Sequence, residues 1–232
     1  MLSRISPRQL RRLAVTLLVL TLAYNVAEGA IAIVAGLRAD SIVLLTFGAD
    51  SYLEVLAASA VLWRLSFRDE ESGERAERKA MRLIGASFLL LAAAVAVQAA
   101  LAFAGDGQAE SSPLGIGLLV ASLVLMPLLS FAKLWTAARL RLPVIAAEAR
   151  ETIACSYLSL TALAGLAATA AIGAAWVDPF AALLLIPWLV REGLEGVRGD
   201  ACFDGLGVCF CRQCLWGVRN CPPNDACVPR CC

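Results

Sequence analysis

Four side chains able to hold a cation fall into two pairs, each pair four residues apart inside a long apolar stretch. Asp50 and Glu54 lie in FGADSYLEV, and Glu151 and Cys155 lie in AEARETIACSYLSL. A helix turns ~100° per residue, so positions i and i+4 share a face about 6 Å apart. Carboxylates and a thiolate at such spacing can chelate a divalent ion. Oxygen donors favour hard ions, whereas sulfur favours Zn²⁺, Cd²⁺ and softer metals. Ionisable groups in hydrocarbon are costly and point to function. No basic residue stands mid-helix beside either pair, so such carboxylates need protons or a cation. The expected metal site is therefore Asp50, Glu54, Glu151 and Cys155. These ligands bind metal deprotonated, so metal binding would release protons.

Two further acids are candidate accessories. Glu28, in AYNVAEGAIA, would join the site, relay protons or bond to Asn25. Glu148 stands one turn before Glu151 and would form an entrance site or pair with Arg150 or Arg139. The chain has no histidine, the commonest metal ligand and proton shuttle. It carries no G-x-S-x-G elbow and no phosphate loop. We therefore expect no enzyme, no catalytic residues and no prosthetic group.

The elements that must position these residues are membrane helices. The 232 residues are 60% hydrophobic, with a mean hydropathy of +0.75, too apolar for a soluble domain of this length. Apolar runs of 18 residues or more recur, each long enough to span a bilayer. They predict an all-α membrane protein, a six-transmembrane-helix bundle with helices at about 13–36, 41–65, 83–104, 114–137, 144–174 and 178–198. The segment FRDEESGERAERKAMR reads as an aqueous connection, and Pro127 as a kink in the fourth helix. The apolar run after the basic N-terminus is too long for a signal-peptide core and reads as a retained first helix.

Arginines and lysines fix an expected orientation. They collect before the first helix, around the second connection, around the fourth (Lys133, Arg139, Arg141, Arg150) and at the end of the sixth. The other three connections hold Arg38 alone. By the positive-inside rule both termini are cytoplasmic. Asp50 then lies ~14 Å into its helix from the outer side, and Cys155 ~17 Å from the inner side. Both pairs fall near the midplane. The net charge of +1 gives no sign of a nucleic-acid partner.

Residues 201–232 hold eight of the nine cysteines. Cys209, Cys211 and Cys214, with Cys231 and Cys232, have chelate spacing, which in a reducing cytoplasm favours metal capture over disulfides. The other reading is an extension whose cysteines are accidental.

The segments GLRADSIVLLTFGADSYLEVLAASAVLWR, EARETIACSYLSL and WVDPFAALLLIPWLVREGLEGVRGDAC resemble the cation diffusion facilitator family, in particular a shortened bacterial branch. The resemblance covers about residues 12–202. It implies an acid pair on the second helix, matched by Asp50 and Glu54. It implies a His-xxx-Asp pair on the fifth, where Glu151 and Cys155 stand instead. It further implies efflux of a Zn²⁺-like cation, or of Cd²⁺ or Co²⁺, from the cytoplasm by metal/proton antiport. A homodimer in the bacterial plasma (inner) membrane is also implied. Members usually carry a cytoplasmic αβ domain after the sixth helix, and the 34 residues after Arg198 are too few for it. The alternative function is a non-transporting membrane sensor or buffer that binds metal through the cysteine-rich tail.

Overall fold

The computed structural model describes residues 6–38, 41–67, 69–104, 113–172 and 176–198. The cysteine-rich segment, with Cys209, Cys211, Cys214, Cys231 and Cys232, lies outside them. The described residues form six α-helices and no strand: α1 (Pro7–Arg38), α2 (Ile42–Ser66), α3 (Glu70–Ala104), α4 (Pro113–Leu140), α5 (Pro143–Ile172) and α6 (Val177–Arg198). The first five are long and apolar enough to cross a membrane. Every 18-residue stretch of α6 carries three or four charged residues, drawn from Asp178, Arg191, Glu192, Glu195 and Arg198.

Local chemistry sets the helix ends. Ser6 and Gln9 form a reciprocal cap: the Ser6 N–H donates to Gln9 Oε1 at 2.8 Å and the Gln9 N–H to Ser6 Oγ at 3.3 Å. Pro7, which has no N–H to satisfy, takes the first helical position. α1 therefore begins six residues before the expected 13, and Arg8, Arg11 and Arg12 belong to it. Ser41 caps α2 by accepting from Leu44 N–H. Asp69 caps α3 by accepting from Ser72 N–H at 2.9 Å. The Ser72 hydroxyl and N–H hold the Asp69 carboxyl below the usual carboxylate range.

From Glu70 on, the segment expected to be an aqueous connection is helical and forms the first turns of α3, which starts at Glu70 rather than 83. Its mixed charges support a helix outside hydrocarbon: Glu71 pairs with Arg75 one turn on at 3.0 Å, and Glu77 reaches Arg64 of α2 at 3.0 Å. α4 runs unbroken through Pro127, and α6 through Pro187. Each proline deprives one carbonyl, that of Leu123 or of Leu183, of its helical donor. Arg141, with φ 57°, turns the chain from α4 into α5 in the left-handed conformation that glycine usually supplies.

Packing builds a closed ring. α1 lies on α2, α2 on α5, α5 on α4 and α4 back on α1. α3 and α6 form an outer pair that leans on α2 and α5. That pair meets at glycines: Gly85 of α3 faces Gly193, Gly196 and Val197 of α6, backbone against backbone. Phe88 and Trp188 stack edge-to-face beside this crossing, centroids 5.8 Å apart.

A buried ion pair ties α5 to α6: Arg150 Nη1 donates to Glu192 Oε2 at 2.5 Å, both side chains under 10% exposed. Arg150→Met strands a buried carboxylate, at an expected cost of about 3–5 kcal/mol. Removing both partners (Arg150→Met with Glu192→Leu) is expected to recover most of that. Thermal unfolding of the detergent-solubilised proteins checks both.

Candidate metal centre

The four ring helices each send polar side chains to one interior region. On α2, Asp50 and Glu54 are 0–1% exposed. On α5, Glu148, Glu151, Thr152 and Cys155 are fully buried and span about 100° of the helix, one face. Arg150 falls on the opposite face, which is why it reaches α6 instead. α1 contributes Thr21, Asn25 and Glu28, and α4 contributes Ser122 and Lys133.

The two expected pairs do approach each other. The Asp50 carboxylate lies beside the Cys155 thiol, with Glu54 and Glu28 within electrostatic reach. Cys155 Sγ stands 3.8 Å from Ser122 Oγ. Glu151 is turned toward Ser87 of α3, with Asp50 and Glu54 in its field. None of the contacts of Asp50 or Glu151 closes to hydrogen-bond geometry: both oxygens of each lack a partner among the described residues. Asn25 lies beside Glu54, with both its amide atoms likewise unpartnered. Among the described residues, no three acidic or thiol side chains are drawn close enough to hold a metal ion as they stand.

Both accessory acids have definite partners. Glu28 accepts from Tyr24 Oη at 2.9 Å and from Ser51 Oγ at 3.2 Å, so its bonds are to hydroxyls and not to Asn25. Glu148 pairs with neither Arg150 nor Arg139. Arg139 stacks over the Trp135 ring at 3.6 Å, and Glu148 Oε1 accepts from Lys133 Nζ at 2.6 Å.

Lys133 is the residue that sequence reasoning misplaced. Counted among the inner charges that set orientation, it is 1% exposed and points into the acidic region. Its Nζ also donates to Thr152 Oγ1 at 2.8 Å and stands 3.9 Å from Glu54 Oε1. Thr152 in turn donates to Glu54 Oε1. Arg150 is likewise buried rather than interfacial. A signal for Lys133 existed: Ser122, Met126, Ser130 and Lys133 recur at helical spacing, and all are buried.

The charge balance defines what this region can do. Among the described residues, five buried carboxylates of this region (Glu28, Asp50, Glu54, Glu148, Glu151) face one ammonium, that of Lys133. Ionised carboxylates without partners are prohibitively costly in a low-dielectric interior, so protons or a bound cation must make up the difference. No protein-family model matches the chain, and no curated protein matches it.

Proposed function

We propose that this chain is a secondary transporter that exports a divalent heavy-metal cation, Zn²⁺, Cd²⁺ or Co²⁺, from the cytoplasm in exchange for protons. The observation that carries the reading is the excess of buried carboxylates over ammonium inside a closed ring of four apolar helices. Asp50, Glu54, Glu151 and Cys155 are the cargo ligands in this reading, with Asn25 beside them on α1. A mixed oxygen and sulfur set suits a cation of intermediate softness better than Mg²⁺ or Ca²⁺. Small shifts of α2 against α5 would draw the two pairs onto one ion, and rocking of the bundle would open the site to either side in turn. α6 completes a six-span bundle with both termini cytoplasmic, in a bacterial inner membrane, and the protein acts as a homodimer.

Proteoliposomes loaded with a pH-sensitive dye test this. A gradient of the cargo metal is expected to move protons the opposite way, in the full chain and in a chain ending at Asp200. Metal binding without proton movement, lost in the shortened chain, would assign the metal to the cysteine-rich segment and overturn the transporter reading.

A further inference from the structure

The exchange reading above leaves Lys133 unused, although its ammonium touches both α5 and α2 in the region. Its ammonium lies 2.6 Å from Glu148 Oε1 and 2.8 Å from Thr152 Oγ1, with Glu54 Oε1 at 3.9 Å. The Thr152 hydroxyl donates a hydrogen bond to that same Glu54 oxygen. Glu54 is therefore engaged on one oxygen by Lys133 and Thr152, while its Oε2 has no partner among the described residues. The same carboxylate is one of the four cargo ligands.

An ammonium and a divalent cation on a single buried carboxylate repel each other strongly, because little solvent screens them. Glu148 offers the ammonium a place to withdraw to. It is fully buried on the face of α5 that carries Glu151, and it already makes the shorter of the two ion pairs.

We propose that Lys133 is a tethered competitor of the cargo. Its ammonium shares Glu54 through Thr152, withdraws onto Glu148 when a divalent cation ligates Glu54, and returns to help expel the cation. This rests on the transporter reading, and it adds a residue that sets affinity and release. The site gains a built-in cation that never leaves, so the bundle can let go of its cargo without leaving Glu54 bare.

The test is calorimetric titration of the purified full chain in detergent with Zn²⁺ alone and with Cd²⁺ alone. The proteins are wild type, Lys133→Met, Lys133→Arg, and Lys133→Met combined with Glu148→Gln. Losing the competitor is expected to tighten binding about ten-fold, the size of coupling commonly found between two binding events in one protein. The double variant is expected to show the same tightening. Because it removes both members of the shorter ion pair, it does not strand the Glu148 charge, and it folds even where the single variant does not. Lys133→Arg keeps the charge and binds less tightly than Lys133→Met. In proteoliposomes the Lys133→Met protein releases cargo more slowly, so turnover falls while apparent affinity rises. Binding by wild type that is unchanged or weaker in Lys133→Met and in the double variant would overturn the competitor role and leave the transporter reading standing. Absence of metal binding in every protein would overturn both.

Discussion

Asp50→Asn is expected to abolish metal-coupled proton flux while leaving the fold intact or slightly more stable. The substitution keeps the shape of the side chain and removes its charge. Asp50 is 1% exposed, and neither of its oxygens has a partner among the described residues. Structurally, an ionised Asp50 is a liability, since a buried charge without compensation is among the costliest features a bundle can carry. A neutral amide costs less, so unfolding should move to the same or a higher temperature. In the proposed role of cargo ligand, Asp50 cannot be replaced this way. Even changes in residues that merely support a metal ligand commonly cost 10–100-fold in affinity, so loss of the ligand itself should exceed about 100-fold. The two readouts move apart, as they do at sites where function is held at the expense of stability. Retained flux in Asp50→Asn would remove this residue from the transport path.

The second large effect is structural. Gly85→Ala is expected to destabilise the protein by about 1–3 kcal/mol, the range for overpacking a tight contact. A methyl at position 85 would sit 2.5 Å from the Val197 nitrogen and 2.7 Å from both the Gly193 oxygen and the Gly196 carbonyl carbon. These are backbone atoms, so no rotamer change relieves the clash, and α3 must move off α6. Gly117→Ala is the matched control, because a Cβ there meets nothing within 4 Å. Helix propensity alone favours alanine over glycine by about 1 kcal/mol, so Gly117→Ala should hold or raise the unfolding temperature. Thermal unfolding of both variants in one detergent, read side by side, decides it. Equal behaviour of the two would mean that α3 and α6 do not cross where the glycines place them.

How far the chain can be read before folding depends on the range of the physics. The i,i+4 pairs on α2 and α5 are legible because helical periodicity is local, and five of the apolar segments declare themselves by length. The start of α3 is less legible, because FRDEESGERAERKAMR is polar and reads as an aqueous connection whether or not it is helical. Its own cues are an Asp69 cap and the Glu71–Arg75 spacing, which favour a helix that continues into water. The Ser6–Gln9 cap and Pro7 at the head of α1 are equally local cues. Lys133 is a different case. Six and eight residues from Arg139 and Arg141, it has the composition of an inner flank, and only its helical register with Ser122, Met126 and Ser130 hints that it turns inward. That it meets Glu148, Thr152 and Glu54 depends on how α4 is rotated against α5 and α2, a relation between helices that no single segment encodes. The same holds for Arg150, whose partner Glu192 is 42 residues away.

The most direct test of the central claim is uphill transport. Proteoliposomes carrying the full chain are given an acidic interior, with equal Zn²⁺ on both sides, and metal uptake into the lumen is followed with and without a protonophore. Metal/proton exchange is expected to accumulate Zn²⁺ inside the vesicles above its external concentration, and the protonophore is expected to collapse that accumulation. Metal that binds but never accumulates, or that equilibrates at a rate indifferent to the pH gradient, would contradict the exchange of protons for a divalent cation at this buried cluster.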